Sequence, residues 1–104
     1  MKNPIENLNK TFDSRIRLGI MSAIMVNASI NFNDLKELIN VTDGNLASHI
    51  NALEKEKYIK VKKRFIGKKT RTTYSMCGKG KKAFEDHLNT LEIFIKESFN
   101  SQTL

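Results

Sequence analysis

One change of rhythm constrains this chain more than any other feature. Up to Leu53 the apolar residues recur at helical spacing, and after Tyr58 they recur every second residue. A chain that does this within a total of 104 residues has room for one modest core, built from helices first and a strand pair second.

The helical part divides into three. Ile16, Ile20 and Ile24 recur every four residues, with Leu18, Met21 and Met25 beside them, so a largely buried helix is expected from Asp13 to about Asn27. Residues 28–32 carry only a short extended signal. Asn33 is a plausible N-cap for a second helix, which presents Leu35, Leu38 and Ile39 and stops near Asn40. Val41-Thr42-Asp43-Gly44-Asn45 is then a tight polar turn, and either Thr42 or Asp43 can cap a third helix over about 43–56. Leu46, Ile50 and Leu53 form one narrow apolar stripe of that helix. Its opposite face, made of Gly44, Asn45, Ser48 and Asn51 with His49 at the edge, is small, polar and almost free of acid.

Beyond Tyr58, Ile59, Val61, Lys63 and Phe65 alternate with Lys60, Lys62, Arg64 and Ile66. Gly67-Lys68-Lys69-Thr70 interrupts the alternation as a hairpin tip. The return strand places Thr72, Tyr74 and Met76 on the inner side. A long final helix follows from about Gly78 to Ser98, with Ala83, Phe84, His87, Leu88, Leu91, Phe94 and Ile95 on a broad apolar face. The fold class is thus mainly α with a small β-hairpin (α+β). Two short helices about a tight turn, followed by a hairpin, make a winged helix-turn-helix.

Charge adds a function class. Residues 55–82 hold twelve bases and a single acid, Glu56, whereas the whole chain has a formal charge of +7. A basic third on a mildly acidic remainder is the footprint of a polyanion binder. The alternative for charge alone is a solvated basic face.

The segment from Thr42 to Ile50, with Leu53-Glu54 and Tyr58-Ile59, resembles the recognition-helix region of MarR- and ArsR-type repressors, and of short stand-alone winged-helix regulators related to them. Phe65 to Ser75 resembles their wing and Arg15 to Ile24 their first core helix, so the resemblance spans roughly residues 13 to 95. It implies a bacterial-type, homodimeric transcription regulator that binds double-stranded DNA. Carried over by position, Asn45, Ser48 and His49 would read the groove, Thr42 would lie near phosphates, and Lys68, Lys69 and Arg71 would be wing contacts. Many relatives cap the last helix with threonine where this chain has Cys77, so a looser helix start is expected there.

The remaining signals narrow the reading. A core of 13–76 is expected between an N-terminal extension over 1–12 and a C-terminal helical segment over 77–104. Ile5, Leu8 and Phe12 at one end, and Leu91, Phe94, Ile95 and Phe99 at the other, exceed what one small core needs. They would be buried across a two-fold axis or in an intramolecular clamp, and the dimer is favoured. His87 is expected as a satisfied core or interface residue. Two histidines and one cysteine in separate elements lack zinc-site spacing, so no metal or cofactor is expected. Gly78-Lys79-Gly80 is not a phosphate loop and no nucleophile–base pair can be named, so the chain is not expected to be an enzyme. The lone Cys77 suits a reducing cytoplasm, and the apolar run from Leu18 to Val26 is too short to span a bilayer. Nothing in the chain indicates a small-molecule effector. The rival reading is a winged helix for non-sequence-specific nucleic-acid binding or protein–protein interaction.

Overall fold

A computed structural model describes the backbone of residues 4–103 and the side chains of residues 5–99. Residues 1–3 and 104, at the ends of the two expected terminal segments, lie outside the described residues. Two short 3-10 turns, Pro4–Asn7 and Lys10–Phe12, lead into α1 (Arg15–Val26), β1 (Ile30–Asn31), α2 (Phe32–Ile39) and α3 (Asp43–Lys55). The hairpin β2 (Ile59–Ile66) and β3 (Lys69–Met76) follows, and then α4 (Gly78–Thr103).

Each of the first three helices starts on a side-chain oxygen that accepts an otherwise unpaired backbone N–H. Ser14 Oγ accepts from Arg17 N at 3.3 Å, Asn31 Oδ1 from Asp34 N at 2.8 Å, and Thr42 Oγ1 from Asn45 N at 3.2 Å. The α2 cap is therefore Asn31, not Asn33. Asn31 wins because it also closes β1, which pairs with β3 through Ile30↔Tyr74 and Asn31↔Thr73. The short extended signal is thus a third strand, and the sheet order is β1-β3-β2. Asn40 ends α2 in the left-handed region with φ 59°.

The hairpin pairs in continuous register from Ile59↔Met76 to Ile66↔Lys69. Its two loop residues are Gly67 and Lys68, and Gly67 takes φ 65°, a positive value that glycine adopts without penalty at the first position of such a loop. The inner alternation buries Ile59 and Tyr74 and half-buries Val61, Thr72 and Met76, but Phe65 is 83% exposed because the hairpin outruns the core.

The core joins Ile20, Met21 and Ile24 of α1 to Leu35 of α2, Leu46, Ile50 and Leu53 of α3, and Tyr58, Ile59, Tyr74 and Phe84 beyond. Phe12 belongs to it as well. Only 1% exposed, its ring lies 5.5 Å from Tyr58, 5.4 Å from Phe84 and 5.1 Å from His87, centroid to centroid. This corrects the expectation of Phe12 as a dimer contact: the aromatic side chain finds three ring partners within its own chain, so it has no surface left to offer. The Pro4–Asn7 turn also lies along α4 of the same chain. The N-terminal turn is thus held on its own α4, with Ile5 still exposed.

α4 extends past the expected Ser98 to Thr103 and gives the chain its long dimension of 64 Å against 25 and 20 Å. Its N-terminal end is held tightly. Cys77 N donates to the Tyr58 carbonyl at 3.0 Å, and a Cβ at Gly80 would overlap that same carbonyl. Toward the C-terminus Leu91 and Phe94 are half-buried, while Leu88, Ile95 and Phe99 are exposed at spacings of seven and four. No helix among the described residues is long and apolar enough to cross a membrane.

Candidate nucleic-acid interface

Core packing decides which side of α3 faces outward. With Leu46, Ile50 and Leu53 at most 3% exposed, the opposite side carries Gly44, Asn45, Ser48 and Asn51, all exposed, and the capping residue Thr42 is exposed at its start. A Cβ at Gly44 would meet no heavy atom within 4 Å, so the backbone there lies open to an approaching ligand. Amides and a hydroxyl on a helix face are donors and acceptors of the kind that read base edges. The acid at its start is neutralised: Asp43 Oδ1 pairs with Lys36 Nζ of α2 at 2.6 Å.

His49 is half-buried, and its ring turns toward α1. Its Nδ1 accepts from Arg17 Nε at 3.0 Å, and Arg17 Nη1 also donates to the Thr11 carbonyl at 3.4 Å. Burial, and then the Arg17 charge, push the His49 pKa down. The ring is held neutral with its proton on Nε2, so it offers a single donor and no charge. Arg17 was missed at the sequence level, because a partner 32 residues away leaves no local signal.

The hairpin cations do not form one surface. Residues paired across β2 and β3 lie on the same side of the sheet, and alternate residues lie on opposite sides. Lys63 (opposite Thr72) flanks a groove of about 610 Å³ between α3 and the inner sheet face, together with Asn51, Glu54 and Tyr74. Burial, and then the Glu54 charge, raise the pKa of Tyr74 there. Lys60, Lys62, Arg64 and Arg71 line a separate groove on the outer face. Lys68 sits in the loop at the tip, and Lys69, opposite Ile66, continues the outer row. Of the three expected wing contacts, Lys68 thus lies at the tip, while Lys69 and Arg71 lie on the outer row. Lys63 instead lies beside the helix, on the inner row that the alternation marks, although only the packing of α3 puts the helix next to it.

Among the described residues no group of three metal-binding side chains comes together. His87 is buried in the aromatic cluster with Phe12, and its Nδ1 accepts from the backbone N–H of Asn9. Cys77 is half-buried.

Comparison with known proteins supports the same reading. The chain is 34% identical over 79 residues to an uncharacterized protein, MJ0432, of Methanocaldococcus jannaschii, covering 76% of this chain and 86% of that one. Among solved structures it resembles a transcriptional regulator homologue of Pyrococcus horikoshii, with TM-score 0.74 and 29% identity over 88% of this chain and 96% of that one. It also resembles the YusO protein of Bacillus subtilis, with TM-score 0.79 and 14% identity over 93% of this chain and 68% of that one, a likeness of fold. A family model described as a winged helix DNA-binding domain matches residues 16–95, from the middle of the first helix turn to the exposed half of α4. The order of elements, the open polar face of α3, the basic hairpin and this match agree: the chain belongs to the winged helix DNA-binding domain family.

Proposed function

We propose that the protein is a homodimeric, sequence-specific regulator that reads double-stranded DNA with α3. The observation that carries this reading is the outward face of Gly44, Asn45, Ser48 and Asn51, which is polar, open, continued by exposed Lys55 and backed by a buried apolar stripe, with Thr42 capping its start. Specificity comes from base-edge contacts and affinity from phosphate contacts. Here Asn45 and Ser48 supply the first, while Thr42, His49 Nε2–H, Lys63 and Lys68 supply the second. No catalytic role is part of the proposal, and the cytoplasm is its expected setting.

Dimerisation rests on α4. Leu88, Ile95 and Phe99 leave an apolar stripe on the helix that projects from the core, next to half-buried Leu91 and Phe94, with exposed Ile5 and half-buried Leu8 on the adjoining turn. Two copies pairing along that stripe would remove it from water and would present two recognition helices for half-sites about one DNA turn, roughly 34 Å, apart.

Selection from random duplexes tests the reading directly. An enriched palindromic motif is the expected result. Retention of duplexes without enrichment at any salt would instead support a non-sequence-specific binding module. Sedimentation tests the dimer, and a monomer at every concentration would remove it.

A further inference from the structure

We propose that the outer face of the wing sheet is a second DNA-backbone surface, one that holds a separate duplex while α3 reads the first. The inference rests on the DNA-binding reading above and goes beyond it.

The groove on this face has a volume of about 670 Å³, and its floor is the outward row of β2 and β3. Lys60, Lys62 and Arg64 stand along one strand. Ser75, Thr73 and Arg71 stand opposite them in register. Four cations and three hydroxyl-bearing side chains, Ser29, Thr73 and Ser75, thus line one channel, and no acid lines it. Asp34 lies at its rim, in smaller grooves shared with Arg71, and accepts from Asn31 Nδ2 at 2.9 Å.

These cations have no internal use. The ion pairs among the described residues join Lys36 to Asp43, Lys82 to Asp86 and Lys96 to Glu92, and none involves the hairpin. Arg64 faces Arg71 across the strands, a like-charge pair that disfavours the isolated hairpin and that a bound anion would relieve.

The arrangement fits a phosphate track. From Lys60 to Arg64 the strand advances about 14 Å. One strand of a duplex presents about four phosphates over that length. The Ser75 hydroxyl adds a neutral donor of the kind that commonly binds phosphate oxygens, while the Thr73 hydroxyl donates to the Lys62 carbonyl at 3.5 Å. A concave channel suits a cylinder better than a flat membrane. The sheet separates this channel from the exposed face of α3, so the two surfaces address two segments of DNA.

The test uses the full chain and two duplexes. The first, immobilised, carries the motif enriched by selection with both half-sites, so that every recognition helix is occupied. The second is fluorescent and of unrelated sequence. The wild type is expected to retain the second duplex. Lys62→Gln with Arg64→Gln should stay on the immobilised duplex within about threefold of wild type yet retain only about a tenth of the second, at a salt concentration where charges beyond ~8 Å are screened. Both side chains are exposed, so the fold should be retained, and Lys62→Arg with Arg64→Lys should restore retention. Equal retention by the Gln variant and the wild type would overturn the proposal, as would a wild type that binds the first duplex and never the second. Capture of polyglutamate with no capture of duplex would assign the face to an acidic protein and overturn it too. Failure to bind the immobilised duplex at any salt would be a different result, removing the DNA-binding reading and the second surface together.

Discussion

The backbone N–H of Asn9 donates to Nδ1 of His87 at 3.1 Å, joining residues 78 apart, while the Asn9 side chain donates to the Tyr58 hydroxyl at 2.9 Å. One asparagine so ties the N-terminal turn to α4 and to the start of the hairpin, through the two residues whose rings also pack on Phe12.

That bond makes stability depend on pH. Nδ1 accepts only when the ring is unprotonated there, and burial lowers the His87 pKa against a smaller opposing effect of Asp13. His49 is shifted in the same direction. In both cases the folded form binds the proton less readily than the unfolded chain, whose imidazoles titrate near pH 6.5. Their contribution is complete above that value and is lost as pH falls through the folded-state values. Urea midpoints measured from pH 7.5 down to 5 should fall, and His87→Asn, an acceptor that does not titrate, should flatten the decline. An unchanged slope in that variant would place the proton uptake elsewhere.

Phe12→Ala separates core from interface. Removing a fully buried aromatic side chain costs about 3–5 kcal/mol. Because its contacts are all within the chain, the loss in unfolding free energy should not vary with protein concentration and should leave the association constant unchanged. Weakened association with unaltered stability would return Phe12 to the dimer interface.

Two glycines should respond oppositely to alanine. At Gly80 the new methyl overlaps the Tyr58 carbonyl, a backbone atom that cannot swing aside, so destabilisation of about 1–3 kcal/mol is expected. At Gly44 there is open space, and alanine should stabilise the helix by about 0.5–1 kcal/mol. The same methyl stands where the backbone approaches the groove, so Gly44→Ala should weaken DNA binding while raising the melting temperature. A stabilised variant with undiminished affinity would show that α3 does not approach through Gly44.

Asn45 and Lys68 should fail in different ways. Asn45→Ala should change preference among sequences, by roughly 1–3 kcal/mol for a good base contact. Lys68→Gln should weaken all duplexes alike and reduce the slope of log K against log salt by about one. Titrations of matched and mismatched duplexes over a salt series distinguish the two. A uniform loss from Asn45→Ala would count against base reading there.

Much of this architecture is local, and local physics was enough to read it. Ile16, Ile20 and Ile24 mark α1 because a buried helix face must recur near every 3.6 residues. Thr42 precedes α3 because helix starts leave N–H groups that a hydroxyl satisfies. The hairpin follows from the period of two with Gly67 at its turn. The choice of Asn31 over Asn33 was not local, since it depends on β1 finding β3. Nor was the fate of Phe12, because an aromatic residue near a chain end looks the same whether its partners are Tyr58, Phe84 and His87 or a second molecule.

Alternation placed Lys60, Lys62 and Arg64 opposite Lys63 from the outset, yet the charge total along the chain treats them as one basic run. The apolar residues Ile59, Val61 and Tyr74 mark the inner row, but only the packing of α1 and α3 puts α3 beside that row and leaves the other row open. Periodicity says which residues share a face. Which helix meets the inner face, and which face is left as an open basic groove, depends on contacts between residues far apart in sequence, and those exist only once the chain has folded.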